Sequence, residues 1–141
     1  MANGLFNSYR NQVLGTGTFT DLDAVTLKAM FIDNADDTAV LATDDFIDDI
    51  LSAGRVPAIG SCPTLGSKTL GVVAVGVFDA ADTVFTALSG DASEQLIVFE
   101  DSGTESTSDL LAMWDTATGL PLTPNGGDVT VQWNASGIWR Y

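Results

Sequence analysis

The chain has no histidine and only one cysteine among its 141 residues. Without histidine there is no Ser–His or Cys–His pair and no imidazole-ligated metal. Cys62 has no intrachain disulfide partner and no evident base to activate it, so the expectation is a small half-buried thiol beside Pro63. Basic residues are scarce as well: 5 Lys and Arg stand against 19 Asp and Glu, for a net charge of −14. A surface of that sign repels phosphate backbones and anionic lipid, which argues against direct nucleic-acid binding and against membrane association. The longest mostly apolar run, Leu70 to Phe78, is too short to cross a bilayer. The opening Met-Ala-Asn-Gly-Leu-Phe lacks the basic start and apolar run of a secretory leader. No glycine-rich phosphate loop precedes a helix. Glutamate occurs only at Glu94, Glu100 and Glu105, and no spacing singles out a carboxylate pair for glycoside chemistry. The expectation is a protein that is not an enzyme and carries no cofactor.

What is present is enough apolar material for a core. Hydrophobic residues make up 45% of the chain, which separates it from disordered acidic tails. Its length suits one domain, residues 1–141, without disulfide or metal staples. The last third organises the reading. Leu96-Ile97-Val98-Phe99, Leu110 to Trp114 and Val129 to Trp133 read as strands, the last with strict apolar/polar alternation. Asn125-Gly126-Gly127 and Thr118-Gly119 supply turn residues, and Ile138 to Tyr141 reads as a short final strand. The alternation places Trp114 and Trp133 in the core, whereas Trp139 is the more open of the three tryptophans.

Earlier in the chain, Val25 to Ile32 divides into two faces, Val25, Leu27, Ala29 and Phe31 against Thr26, Lys28, Met30 and Ile32, and reads as a strand. Asp33-Asn34-Ala35-Asp36-Asp37 departs from a calcium loop at Ala35 and Thr38. It reads as a solvated acidic turn, with a cation around Asp33, Asp36 and Asp37 as the alternative. Thr43 to Gly54 has an N-cap candidate, an apolar stripe of Phe46, Ile47, Ile50 and Leu51, and a terminal glycine, which predicts a helix. Further strands are expected at Val56 to Ser61, Lys68 to Ala74, Val75 to Phe78 and Val84 to Leu88. The fold expected is an antiparallel β-sandwich of seven to nine strands with one or two short helices.

Residues 1–15 hold Leu5, Phe6, Tyr9 and Val13, and Phe6, Tyr9 and Val13 share helical spacing. The segment reads as a short helix, stopped by Gly15-Thr16-Gly17, that either caps the sandwich or reaches out as an arm. Together with Trp139 and Tyr141 in the tail, Leu5, Phe6, Tyr9 and Val13 are the candidate interface residues. They place apolar groups at both ends of an acidic chain.

The stretch EDSGTESTSDLLAMWDTATGLPLTPNGGDVTVQWNASGI resembles the C-terminal half of a family of small structural proteins of tailed bacteriophages. The layout before it is similar too: a VTLKAMFID strand, a DDFIDDI segment and GVFDAADTVFTALSGD ahead of LIVFEDSG. Glu100, where that family usually has lysine, and the ending Trp139-Arg140-Tyr141 are departures. The resemblance implies a non-enzymatic virion component, assembled in the host cytoplasm. Its foremost role would be a capsid-decoration or cement subunit on the outer head surface, in repeated or homo-oligomeric copies, with the major capsid protein or other virion proteins as partners. A tail, neck or fibre-attachment component, or a glycan-binding module on the particle, are the alternatives.

Overall fold

A computed structural model describes residues 3–15, 17 and 20–141; Met1, Ala2 and the Thr16 of the expected helix stop lie outside them. The chain is mainly β, and every strand pairing is antiparallel. Strand β1 (Gly4–Leu5) leads into helix α1 (Asn7–Val13). Then come β2 (Leu27–Ile32), β3 (Arg55–Val56), β4 (Thr69–Leu70), β5 (Val77–Asp79) and β6 (Thr83–Phe85). Strands β7 (Gln95–Glu100), β8 (Leu110–Trp114), β9 (Val129–Val131) and β10 (Trp139–Arg140) complete the chain. Among the described residues ten short strands thus stand where seven to nine were expected.

Five of them form the main sheet in the order β1-β8-β7-β2-β3. A three-stranded sheet, β10-β5-β4, and a two-stranded one, β6-β9, supply residues to one face of it. On that face Leu27, Ala29 and Phe31 of β2 and Leu96 and Val98 of β7 meet Phe78, Phe85, Leu88 and Trp139. Met30, Ile32, Ile97, Phe99 and Met113 turn the other way, against Phe6, Ala39, Ile47, Ile50 and Cys62. The centre of this antiparallel sheet is therefore dry on both sides. That is why β2 and β7 read as near-continuous apolar runs, a pattern more usual for parallel strands. A bulge opposite Val98 and Phe99 fits Leu111 between Leu110 and Ala112 on β8, so that Leu111 and Ala112 both reach the first face.

The helix expected over Thr43 to Gly54 is absent. Two 3₁₀ turns, Ile47–Asp49 and Ser52–Gly54, take its place. The backbone here bonds sideways: the Ile47 amide donates to the Ser108 carbonyl at 3.0 Å, and the Leu110 amide donates to Asp45 O at 2.9 Å. Side chains satisfy the remaining groups. One Asp49 carboxylate oxygen accepts from the amides of Asp45 and Phe46, and Asp37 accepts from the Leu51 amide. Arg55 donates to the Ile47 and Ile50 carbonyls. Aspartates compete for backbone donors and so favour turns over helix interiors, and four of them crowd this segment. Of the expected apolar stripe, Ile47 and Ile50 are fully buried, but Phe46 is half-buried and Leu51 is 61% exposed, so the spacing marked only the isoleucines' side and not the conformation.

Other expected strands shorten. Val56 to Ser61 keeps only Val56 in β3 and continues as a 3₁₀ turn at Ile59–Ser61. Lys68 to Ala74 and Val75 to Phe78 contribute only Thr69–Leu70 and Val77–Asp79, and the residues between them form an exposed loop.

Candidate functional site

The six interface candidates separate into two groups. Phe6 and Tyr9 have no exposed surface, and Trp139 is only 9% exposed. All three belong to the core. Leu5 is half-buried, and its backbone is paired with Ala112 in the main sheet. The Phe6 amide donates to the Leu111 carbonyl at 3.0 Å. The N-terminal segment is folded onto its own domain instead of projecting as an arm, because β1 extends the sheet and the Phe6 and Tyr9 rings fill its two faces. Trp139, expected to be the open tryptophan, stacks on Phe78 with ring centres 4.3 Å apart. Only Val13 and Tyr141 keep substantial exposure, at 37% and 49%.

The largest exposed apolar feature lies elsewhere, in the loop Gly71-Val72-Val73-Ala74-Val75-Gly76 between β4 and β5. Val72 is 76% exposed and Val75 85%, with Leu70 and Val73 also exposed. Glycines with positive φ frame the loop, Gly71 at 68° and Gly76 at 76°. The Gly71 amide donates to the Val77 carbonyl at 2.8 Å and closes the hairpin. At Gly76 a side chain would meet both a strained φ and the Tyr141 carbonyl at 3.2 Å, and the Tyr141 amide donates to Gly76 O at 3.0 Å. The C-terminal strand therefore buttresses the root of an apolar finger on an acidic protein. Contiguous exposed apolar residues are uncommon on monomers and mark contact surfaces. The local signal for this loop was the pair of glycines; the valine run itself reads as strand.

The acidic clusters divide by geometry. Carboxylate oxygens of Asp33, Asp36 and Asp91 lie within 4.8 Å of one another. Asp37, expected to join Asp33 and Asp36, instead holds the amides of Thr38 and Leu51. Asp91 comes from a distant loop, which spacing could not show. A second cluster faces a cavity of about 760 Å³ lined by Ser8, Gln12, Thr20, Asp45, Glu100 and Asp109 among others. Both oxygens of buried Asp109 are occupied, by the Thr20 hydroxyl at 2.7 Å and the Gln12 amide at 3.0 Å. Those bonds pin Gln12 of α1, and Thr20 beyond it, to the start of β8.

Burial, and then the charge of Asp109, hold Glu100 above the ordinary glutamate range, with a weaker opposing pull from Thr20. An acid whose folded pKa is raised binds its proton more tightly folded than unfolded. Its contribution to stability therefore falls as pH rises from the ordinary glutamate range through the folded pKa. Glu100→Gln should accordingly be more stable than the parent near neutrality, with the difference shrinking toward about pH 3, where Glu100 is protonated in both states. Urea midpoints at the two pH values check this; a difference independent of pH would show that Glu100 ionises normally.

Cys62 is buried, and burial pushes its thiol up to about 12. Its Sγ lies 3.6 Å from the carbonyls of Pro57 and Ala58, in keeping with an unreactive packing residue.

The remaining aromatics form a groove of about 440 Å³ around Trp114 and Trp133, whose ring centres are 5.5 Å apart at 49°. Both rings are half-buried and pack against the core edge. The Trp133 indole donates to Thr83 Oγ1 at 3.1 Å. Sequence alternation called for full burial of Trp133. Half-burial lowers the cost expected for Trp133→Ala to about 1–3 kcal/mol in urea unfolding, below the 3–5 kcal/mol usual for a fully enclosed large aromatic.

Among the described residues no helix is long and apolar enough to cross a membrane. No protein-family model matches the chain, and a search of curated proteins gives no match.

Proposed function

We propose that this chain is a non-enzymatic structural protein of a virus particle, a decoration or cement subunit on the outer surface of a tailed-phage head. The observation that carries the reading is the apolar finger of Val72, Val73 and Val75, exposed between β4 and β5 on a body of net charge −14. The body's charge disfavours nucleic acid and anionic lipid as its occupants, which leaves a protein surface, here the major capsid protein or another virion protein. A single loop makes a small contact. Repetition over a lattice converts many small contacts into firm attachment, because neighbouring copies raise the effective concentration. The sequence resemblance to phage structural proteins supports the same reading, in which the protein is a virion component assembled in the host cytoplasm as repeated copies.

Purified particles from the source of this chain provide the test. The chain should be present in them at high copy number by quantitative mass spectrometry. Val72→Ser combined with Val75→Ser should leave the isolated domain within about 0.5 kcal/mol of the parent, since both side chains are exposed. The same change should abolish co-sedimentation with particles stripped of the protein. Absence of the chain from the particle fraction would defeat the reading, and undiminished attachment of the serine variant would remove the finger as its contact.

A further inference from the structure

We propose that two clefts meeting at Trp114 and Ile138 form a binding site for a glycan in which neutral sugars alternate with a carboxylate-bearing one. The inference does not depend on the particle reading, because the apolar finger takes no part in it.

The first observation is the fate of the five basic residues. Lys28 pairs with Asp101 at 2.7 Å. Arg55 is taken up by two carbonyls and by Glu105 at 2.9 Å. Lys68 donates to the carbonyls of Leu22, Asp23 and Val25. Arg10 and Arg140 remain, both exposed and neither in an ion pair among the described residues. These two arginines, 130 positions apart by their numbering, line the same cleft of about 490 Å³ between β1, α1 and β10. No carboxylate lines that cleft, although the chain has 19 acidic residues. Among the described residues the uncompensated positive spot is thus concave, and guanidinium groups match a carboxylate in charge and in planar geometry.

The second observation is what adjoins it. Trp114 and Ile138 line both this cleft and the aromatic groove, so the two adjoin at these residues. The groove also lacks carboxylates, and alongside its tryptophans it carries exposed Thr118, Thr130, Gln132 and Asn134. Half-buried indole rings present an apolar platform to the face of a sugar ring, while neutral amides and hydroxyls suit sugar hydroxyls. Neutral sugars belong on the tryptophans and the acidic sugar between the arginines. A polymer charged at every residue fits poorly, because the acidic body repels it. With a screening length of about 8 Å at physiological salt, a single carboxylate held in the positive cleft escapes most of that repulsion.

Titration of the full chain with a tetrasaccharide of alternating glucuronate and N-acetylglucosamine, read by tryptophan fluorescence and calorimetry, tests the proposal. The carboxyl-reduced tetrasaccharide, and the variants Arg10→Gln and Arg140→Gln with the native ligand, should each bind about tenfold more weakly, as expected for loss of one charge-assisted contact. Both arginines are exposed, so the variants should keep the parent's urea midpoint. The proposal is overturned if the tetrasaccharide fails to bind at about 10 mM, the weak limit for a specific sugar site. It is overturned equally if the reduced sugar binds as well, if neither arginine variant weakens binding, or if a tetraglutamate peptide displaces the sugar at equal concentration.

Discussion

Replacing Arg55 with methionine should destabilise the domain by about 3 kcal/mol, the range for leaving buried polar partners unsatisfied. The Arg55 side chain is only 6% exposed. Its Nε donates to the Ile50 carbonyl at 2.8 Å and its Nη2 to the Ile47 carbonyl at 2.9 Å. These are carbonyls that an α-helix would have satisfied from within. With the guanidinium gone, the Ile50 carbonyl has no other donor in place, the Ile47 carbonyl keeps only the Ile50 amide at 3.1 Å, and the exposed Glu105 loses its partner. Most of the cost comes from the carbonyls, because the Glu105 end of the ion pair is 52% exposed and screened. Arg55→Lys should recover only part of the loss, since one ammonium lacks the planar fork that reaches two carbonyls. Urea unfolding measures both. If methionine costs under about 1 kcal/mol, water satisfies the carbonyls and Arg55 is not what holds the segment.

The second large effect is expected at Phe99. Its side chain is fully buried on the sheet face that also holds Phe6, Ile47, Ile50 and Met113. Phe99 sits in the middle of the sheet, opposite Lys28 on β2 and Leu110 on β8. Phe99→Ala should cost about 3–5 kcal/mol, transfer and cavity terms together, because a rigid sheet above and hydrogen-bonded turns below leave little room to collapse. Phe99→Leu should cost far less. A loss below about 1 kcal/mol for alanine would mean that the segment 37–62 settles into the vacancy and is more pliable than its hydrogen bonds imply.

Legibility followed the range of the interactions involved. Strands β2, β7 and β8 were readable because each carries its own pattern: two apolar faces at period two, or an unbroken β-branched and aromatic run. The helix α1 was readable from Phe6, Tyr9 and Val13, although Val13, at its end, stays 37% exposed. The segment from Thr43 to Gly54 was misread because helical spacing and a buried 3₁₀ turn place isoleucines alike. What decides between them is Ser108, Leu110 and Arg55, all distant or outside the window. The local hint was the density of aspartates. The burial of Trp139 depends on Phe78, sixty-one positions earlier by numbering, and has no local signature. The two clefts were beyond reach for the same reason, since Arg10 and Arg140 become neighbours only when the first and last strands close around the core.

The main sheet ends, on both sides, in strands of two residues, Gly4–Leu5 and Arg55–Val56. Its inner strands carry the sequences QLIVFE and LLAMW, of the kind that stack into fibrils when an open edge lets a neighbouring molecule add to the ladder. Edges this short offer few free amides and carbonyls to a neighbouring chain. Copies of such a molecule should therefore pack at high local density without seeding cross-β fibrils, and thioflavin fluorescence of concentrated solutions should stay flat.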